Sequence, residues 1–138
     1  MRGTIHHIDL TVKDPRASRP FYDAVLGFLG YLSATEDTWG FDYHHKGGIP
    51  QIGIFKAKGE NAARKHDRYS PGLHHIAWAA ESREDVDRLY ELLKKINATI
   101  LDAPADYPQY GEGYYAVFFA DPDGLKLEYV FKPGSAGF

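Results

Sequence analysis

The chain lacks cysteine and has a single methionine among its 138 residues. The absence of cysteine excludes disulfides, thiolate metal sites, iron–sulfur clusters and cysteine nucleophiles. No apolar run approaches the roughly 20 residues that span a bilayer, since the longest covers only residues 114–120. The first residues carry no signal-peptide pattern. These absences predict a cytoplasmic protein with no membrane partner.

An excess of charge of either sign is also missing. The 16 basic and 19 acidic residues leave a net charge of −3, which gives no electrostatic reason to expect nucleic acid as a partner. The length favours one domain, and the hydrophobic fraction of 43% is typical of a globular protein. Histidine stands out against this background, because six of the seven occur as pairs: His6-His7, His44-His45 and His74-His75.

The chain repeats itself. Residues 5–8 (Ile-His-His-Ile) match residues 73–76 (Leu-His-His-Ile) at an offset of 73 − 5 = 68, and the same offset relates residues 21–23 to residues 89–91. One shift that aligns both a strand-like and a helix-like segment indicates two copies of one supersecondary unit. Two copies are too few for a solenoid, so we expect a domain with pseudo-twofold symmetry.

Each copy reads as a strand, a helix and three more strands. The fold class is therefore α+β with two βαβββ modules and mixed sheets. The first helix is expected to end near Leu26 and the next strand to begin at Phe28. Residues 103–113, with two prolines and two glycines, form the most loop-like stretch inside a module. The predicted single domain, 1–138, consists of module one (4–57), a linker (58–71) and module two (72–131).

The alternation of strand side chains gives the histidines and one glutamate a common property. His7 and His75 occupy equivalent positions on the less apolar faces of two related strands. Glu128 interrupts an apolar strand, where a carboxylate is costly to bury unless it is paired or binds a cation. Two imidazoles and one carboxylate suit a divalent metal with open coordination positions. The alternative is that the histidines are partly exposed and Glu128 lies on a solvated sheet face.

Several motifs together resemble a known family. They are His7-Ile8-Asp9-Leu10-Thr11-Val12, Phe21-Tyr22 before Leu26-Gly27-Phe28, His75-Ile76-Ala77, and Asp121-Pro122-Asp123-Gly124 leading to Leu127-Glu128. From Thr4 to Phe131 the chain resembles the vicinal oxygen chelate superfamily, which includes glyoxalase I, fosfomycin- and bleomycin-resistance proteins and extradiol dioxygenases. The resemblance implies that the two modules form a curved, mixed-sheet cleft.

The resemblance also implies a ligand set. His7, His75 and Glu128 match three ligand positions for one divalent metal ion, which could be Zn, Mn, Fe, Ni or Co. The fourth position, on the last strand of module one, corresponds to Gly53, which has no side chain to offer. Glyoxalase I carries a glutamate there, so its own reaction is disfavoured.

The implied function is a metal-dependent enzyme of lyase, isomerase or transferase type. It would bind a small substrate through two neighbouring oxygens and act as a homodimer, with its modules paired within one chain or between two chains. One alternative is a metal-free protein that sequesters an aromatic compound, as the bleomycin-resistance relatives do. The other is a non-haem iron extradiol dioxygenase, which is weakened because Tyr114 and Tyr115 stand where those enzymes have a catalytic histidine.

Other residues are candidates for catalysis or substrate contact. Tyr114 and Tyr115 lie on opposite faces of a strand, so one of them is expected to face the site and to donate a hydrogen bond or a proton. Core packing is the alternative role. Asp9 shares a face with His7 and could orient its imidazole. Four residues are candidate substrate contacts, with core packing, a solvated hairpin end or a neutral lining as their alternatives: Gln51, His45, Trp39 and Tyr110.

Overall fold

A computed structural model describes residues 2–37 and 39–135. Its elements confirm the βαβββ order in both halves, and both ends of the predicted 1–138 domain, residue 1 and residues 136–138, lie outside the described residues. The first half contains β1 (His7–Val12), α1 (Pro15–Phe28), β2 (Tyr31–Asp37), β3 (Gly40–His45) and β4 (Gln51–Lys56). The second contains β5 (Ile76–Ala79), α2 (Arg83–Lys95), β6 (Thr99–Asp106), β7 (Tyr115–Ala120) and β8 (Lys126–Phe131).

The chain divides into two compact units, an N-terminal unit (Met1–Arg64) and a C-terminal unit (Lys65–Phe138). Each unit holds one four-stranded mixed sheet, with the orders β1-β4-β3-β2 and β5-β8-β7-β6. In each sheet the first strand pairs parallel with the last, and the other pairs are antiparallel. The first and last strands of a module are therefore neighbours, which brings their side chains within one strand spacing.

Helix α1 begins at a cap that the sequence encodes. The Asp14 side chain accepts a hydrogen bond from the Arg16 backbone N–H at 3.0 Å, and Pro15 follows at the first helical position. The helix runs two residues beyond the expected end at Leu26, through Phe28. It stops there because Gly30, at φ = 92°, supplies the left-handed turn that residues with a side chain disfavour. The strand predicted from Phe28 consequently begins at Tyr31.

Helix α2 covers one face of the second sheet. Ser82 caps it by accepting from the Asp85 N–H at 3.1 Å, and Val86, Leu89 and Leu93 are buried beneath it. The hydroxyl of Tyr129, on β8, donates to the Asp85 carboxylate. Because side chains alternate along β8, Glu128 lies on the opposite face of the sheet from α2.

The stretch predicted to be the most loop-like is partly a strand. Strand β6 extends through residues 103–106 despite Pro104, and the irregular part is confined to the residues between β6 and β7. Strand β6 stands at the edge of its sheet. A proline is tolerated in an edge strand because no strand lies on its outer side to accept a hydrogen bond from the N–H that proline lacks.

Within the described part of the chain, no helix has the length and apolar character required to cross a membrane.

The turn before β8 sets the position of that strand. Asp121 is 3% exposed, and its Oδ1 accepts hydrogen bonds from the N–H groups of Asp123, at 2.9 Å, and Leu125, at 2.8 Å. These bonds close the turn between β7 and β8, so they fix the register in which Phe118 stands opposite Glu128.

We predict that Asp121→Ala lowers the free energy of unfolding by about 1–3 kcal/mol, because the buried N–H of Leu125 and the partly buried N–H of Asp123 lose their acceptor. Asp121→Asn keeps an acceptor oxygen in the same place and is expected to lose clearly less. Urea unfolding followed by circular dichroism measures both. Equal losses in the two variants would contradict the role assigned to the hydrogen bonds.

Candidate active site

The centre of the candidate site is the buried carboxylate of Glu128, which is 2% exposed. Its two oxygens have different partners. Oε1 lies 3.0 Å from His75 Nε2, and Oε2 accepts a hydrogen bond from the Tyr114 hydroxyl. A buried charge needs such partners, because isolated burial of a carboxylate is strongly unfavourable. All three residues belong to the C-terminal unit.

His75 is held from its other side by the neighbouring histidine. The Nδ1 atoms of His74 and His75 are 2.7 Å apart. Desolvation, followed by the positive charge of His75, keeps the pKa of His74 below its ordinary value. A neutral His74 can accept the Nδ1–H of His75, an arrangement that directs His75 Nε2 toward Glu128. Nε2 and a carboxylate oxygen are then in contact, and such a contact requires either a proton or a cation between them.

Only one of the two candidate tyrosines contacts Glu128. Tyr114 does so, and burial together with the hydrogen bond to Glu128 raises the pKa of its hydroxyl above the usual value. Tyr115 lies on the α2 side of the sheet, where its hydroxyl donates to Asp87 at 2.6 Å and its ring lies under Arg83. That hydrogen bond, with burial second, raises the pKa of Tyr115 to about 12.

Aromatic rings surround the His75–Glu128 pair. The Tyr107 ring contacts Phe118 edge-on at 5.3 Å and stacks on Tyr110 at 5.6 Å, and Tyr110 reaches Tyr114 at 5.4 Å. Phe118 in turn lies 6.4 Å from His75. Such a wall excludes water from one side of the carboxylate, which strengthens its electrostatic interactions.

The His75–Glu128 pair fits two positions of a divalent metal site. His75 Nε2 and Glu128 Oε1 are 3.0 Å apart, the distance of an ordinary hydrogen bond, and this imidazole nitrogen and carboxylate oxygen are both atoms that bind divalent metals in proteins. A third protein donor does not accompany them, because residues 2–37 and 39–135 contain no group of three or more His, Asp or Glu side chains close enough to hold an ion. The donor set therefore fits a metal in part, with a nitrogen and an oxygen that suit zinc, manganese, iron, nickel or cobalt.

In the N-terminal unit the equivalent strands carry a different pair. His7 is half-exposed, its Nδ1 is 3.0 Å from His6 Nδ1, and its Nε2 is 3.9 Å from Asp9. Asp9 stands opposite Gly53 on β4, whereas in the C-terminal unit Ala77 stands opposite Glu128. Each strand pair thus places one carboxylate opposite one small residue. The carboxylate is on the first strand in the N-terminal unit and on the last strand in the C-terminal unit.

The register places position 53 against the side chains of Asp9 and Phe55. A methyl group placed there would overlap the Asp9 carboxylate, and its carbon would lie 2.8 Å from Cε2 of Phe55. The Asp9 side chain therefore occupies the space into which a residue 53 side chain would project. Residue 53 is the position that the family resemblance assigned to a fourth ligand, and in this chain the space beside it is filled by Asp9.

The four candidate substrate contacts are distributed over both units. Tyr110 joins the aromatic wall of the C-terminal unit. Gln51, on β4, stands opposite His7. His45 lies at a hairpin end, where its ring contacts Tyr31 at 5.0 Å and its Nδ1 accepts from the Gly47 N–H. Trp39 stacks on Phe55 with ring centroids 4.8 Å apart.

Sequence reasoning assigned no role to three residues that the structure brings to these faces. His74 orients His75, Tyr107 builds the aromatic wall, and Asp42 lies 3.6 Å from His44 on the same sheet face as Asp9. Alternation along β3 places His44 and His45 on opposite faces of the sheet. The choice follows from Tyr43, whose hydroxyl bonds to Asp23 of α1 at 2.6 Å and so turns His44 to the face away from the helix.

Known proteins share this architecture. A family model described as the Glyoxalase/Bleomycin resistance protein/Dioxygenase superfamily matches residues 4–129. The chain therefore belongs to that superfamily, which confirms the resemblance seen in the motifs. The uncharacterized protein YqjT of Bacillus subtilis (strain 168) is 35% identical over 126 residues, which are 91% of this chain and 97% of that protein.

Solved structures agree with this membership. A Bacillus halodurans crystal structure, provisionally named a glyoxalase, is 32% identical and has a TM-score of 0.81 over 95% of this chain and 97% of that chain. A glyoxylase/bleomycin resistance protein/dioxygenase domain from Frankia sp. EAN1pec is 24% identical, with a TM-score of 0.72 over 95% and 98% of the two chains. At this lower sequence identity, the similarity to the Frankia domain shows that the two chains share a fold, and nothing more.

We predict that Tyr114→Phe lowers the free energy of unfolding by about 1.5–3 kcal/mol, because a buried carboxylate loses a donor. Tyr110→Phe is the matched control. It removes a hydroxyl from the same aromatic wall, but from a residue that is 56% exposed, and is expected to change stability by less than about 0.5 kcal/mol. Urea unfolding measures both, and similar losses would count against the Tyr114–Glu128 bond.

We predict that Gly53→Ala lowers stability by about 1–3 kcal/mol through overlap with Asp9 and Phe55. Asp9→Ala removes one of the two obstacles, so the double variant is expected to lose at least about 0.5 kcal/mol less than the sum of the single losses. Gly27→Ala is the control, because nothing lies within 4 Å of the added atom. Gly27 lies in the last turn of α1, and alanine there is expected to stabilise by up to about 0.5–1 kcal/mol. Additive losses at positions 9 and 53 would refute the overlap.

Proposed function

We propose that the protein is a metal-dependent enzyme of lyase, isomerase or transferase type that binds a small substrate through two neighbouring oxygens. The observation that supports this proposal is the contact of His75 Nε2 with Glu128 Oε1 at 3.0 Å around a buried carboxylate. In the proposal His75 and Glu128 are two metal ligands. His7 is the third ligand. It occupies the position in module one that His75 occupies in module two, because the two residues correspond at the 68-residue offset of the repeat.

His75, Glu128 and His7 would hold the divalent ion, which would supply Lewis-acid chemistry to substrate oxygens. The chain's own groups do the rest. His74 keeps the His75 ring in position through the bond between their Nδ1 atoms. Tyr114 retains its proton at neutral pH because its pKa is raised, so its hydroxyl is available to donate to an oxygen that gains negative charge. Glu128 accepts that hydrogen bond in the free protein and releases it when a substrate oxygen competes for the donor.

The aromatic wall has a positioning role in this proposal. Tyr107 and Tyr110 stack on each other beside Tyr114, where they can contact an apolar part of the substrate and keep water from the carboxylate. Tyr115 supports the strand from the α2 side. The remaining parts of the proposal are a small-molecule substrate, a cytoplasmic location and a homodimer.

The test is metal content. The purified chain is stripped, reloaded separately with Zn, Mn, Fe, Ni and Co, and analysed for bound metal and dissociation constant. We expect about one ion per chain, and a loss of affinity of at least about 10-fold in Glu128→Gln and in His75→Gln. Glu84→Gln makes the same chemical change at an exposed helix residue and is expected to leave binding unchanged.

Two further measurements separate the parts of the proposal. Loss of binding in His7→Ala supports the third ligand, and retention overturns that assignment alone. Acetohydroxamate, a probe with two adjacent oxygens, is expected to bind the reloaded chain but not the stripped chain. Failure of the parent chain to bind any of the five ions, or full binding by Glu128→Gln, would overturn the proposed function.

A further inference from the structure

The N-terminal unit contains an open pocket of about 650 Å³ whose lining residues all belong to that unit. This volume lies within the range that holds a small organic ligand. The lining comes from the ends of β1 and β4, the residue before β3 and the 3₁₀ turn at Gly59–Ala63. It consists of Thr11, Trp39, Phe55, Lys56, Ala57, Lys58 and Asn61.

Two stacked rings form the apolar part of this lining. Trp39 and Phe55 lie 4.8 Å apart with an angle of 25° between their planes, and Trp39 is still 39% exposed. A large flat side chain that is only partly covered gains free energy when another planar ring stacks on it. The rings therefore favour a ligand that contains an aromatic ring.

Gly53 supports this ring platform. Residues 53 and 55 lie on the same face of β4, and an added carbon at position 53 would lie 2.8 Å from Cε2 of Phe55. An alanine at position 53 would therefore require the Phe55 ring to shift from its place against Trp39. Because residue 53 is glycine, it offers no metal ligand, and it leaves the Phe55 ring in place against Trp39.

The polar part of the lining carries charge of one sign. It includes two lysines and the amide of Asn61, and none of the seven lining residues is acidic. Neither Lys56 nor Lys58 forms an ion pair with the carboxylates of the described residues. In a chain of net charge −3 this is a local positive patch, which attracts an anionic group.

From these observations we propose that the pocket binds a small molecule made of a planar aromatic ring and a carboxylate. The ring stacks on Trp39, and the carboxylate is held by Lys56 and Lys58. The site needs no metal ion. Thr11 and Phe55 lie on the same sheet face as His7, but because this ligand needs no metal ion, its binding is tested separately from the proposed metal-dependent activity.

The test compares naphthalene-2-carboxylate with its neutral analogue naphthalene-2-methanol on the full chain. Calorimetry gives the dissociation constants, and ¹⁵N NMR follows the indole N–H signals of the two tryptophans, which the Trp78→Phe variant assigns. We expect the carboxylate to bind at least about 5-fold more tightly than the alcohol. The Trp39 signal is expected to shift with the same dissociation constant, while the Trp78 signal stays in place.

Variants test each half of the site. Lys56→Gln with Lys58→Gln is expected to bring the carboxylate's affinity to that of the alcohol. Lys46→Gln with Lys65→Gln makes the same charge change at exposed lysines outside the pocket and is expected to alter neither ligand's binding. Gly53→Ala, confirmed as folded by circular dichroism, is expected to weaken both ligands through Phe55.

The results that overturn the proposal are equally distinct. No saturable shift of the Trp39 signal up to about 10 mM carboxylate would remove the site. Equal affinity for the two ligands, or equal losses in the two lysine pairs, would refute the assigned charge recognition.

Discussion

The buried carboxylate of Glu128 is the interaction on which the candidate site depends. A charge that is 2% exposed is stable only while its oxygens have partners, and here these are the Tyr114 hydroxyl and His75 Nε2. The side chains around Glu128 are arranged to meet this requirement. Tyr114, immediately before β7, and His75, immediately before β5, both contact the Glu128 carboxylate, and His74 contacts the second ring nitrogen of His75. The turn at Asp121 sets the register of β8 and thereby the position of Glu128.

The two units use one scaffold for two different surfaces. Each places its first strand beside its last, and each joins a carboxylate to a small residue across that pair, as Asp9 with Gly53 and as Ala77 with Glu128. In the C-terminal unit the carboxylate on the last strand is buried among tyrosines. In the N-terminal unit the glycine on the last strand leaves room for the Asp9 carboxylate and for the Phe55 ring. One exchange across a strand pair thus gives the two units different faces, one with a buried carboxylate bonded to Tyr114 and one with the stacked rings of Trp39 and Phe55.

The fold could be predicted almost entirely from the sequence, because its signals are local. The offset of 68 residues revealed the repeat, and both helices begin at residue types that favour a helix start, Asp14 before Pro15 and Ser82. The errors have tertiary causes. Residues 103–106 form a strand because β6 is an edge strand that has no need of the proline's N–H, and this position depends on the strand order. The end of α1 depended on the left-handed turn at Gly30.

The sequence by itself determined the two βαβββ modules, the family, and the histidines and glutamate that are the proposed ligands, since alternation and repetition are properties of the chain. Only the tertiary structure decided between residues that alternation makes equivalent. It turned Tyr114 rather than Tyr115 toward Glu128, and His44 rather than His45 to the face of Asp9. The physical reason is that a strand has two faces, and which of them is covered depends on the helix that packs there. Asp87 of α2 binds Tyr115, and Asp23 of α1 binds Tyr43.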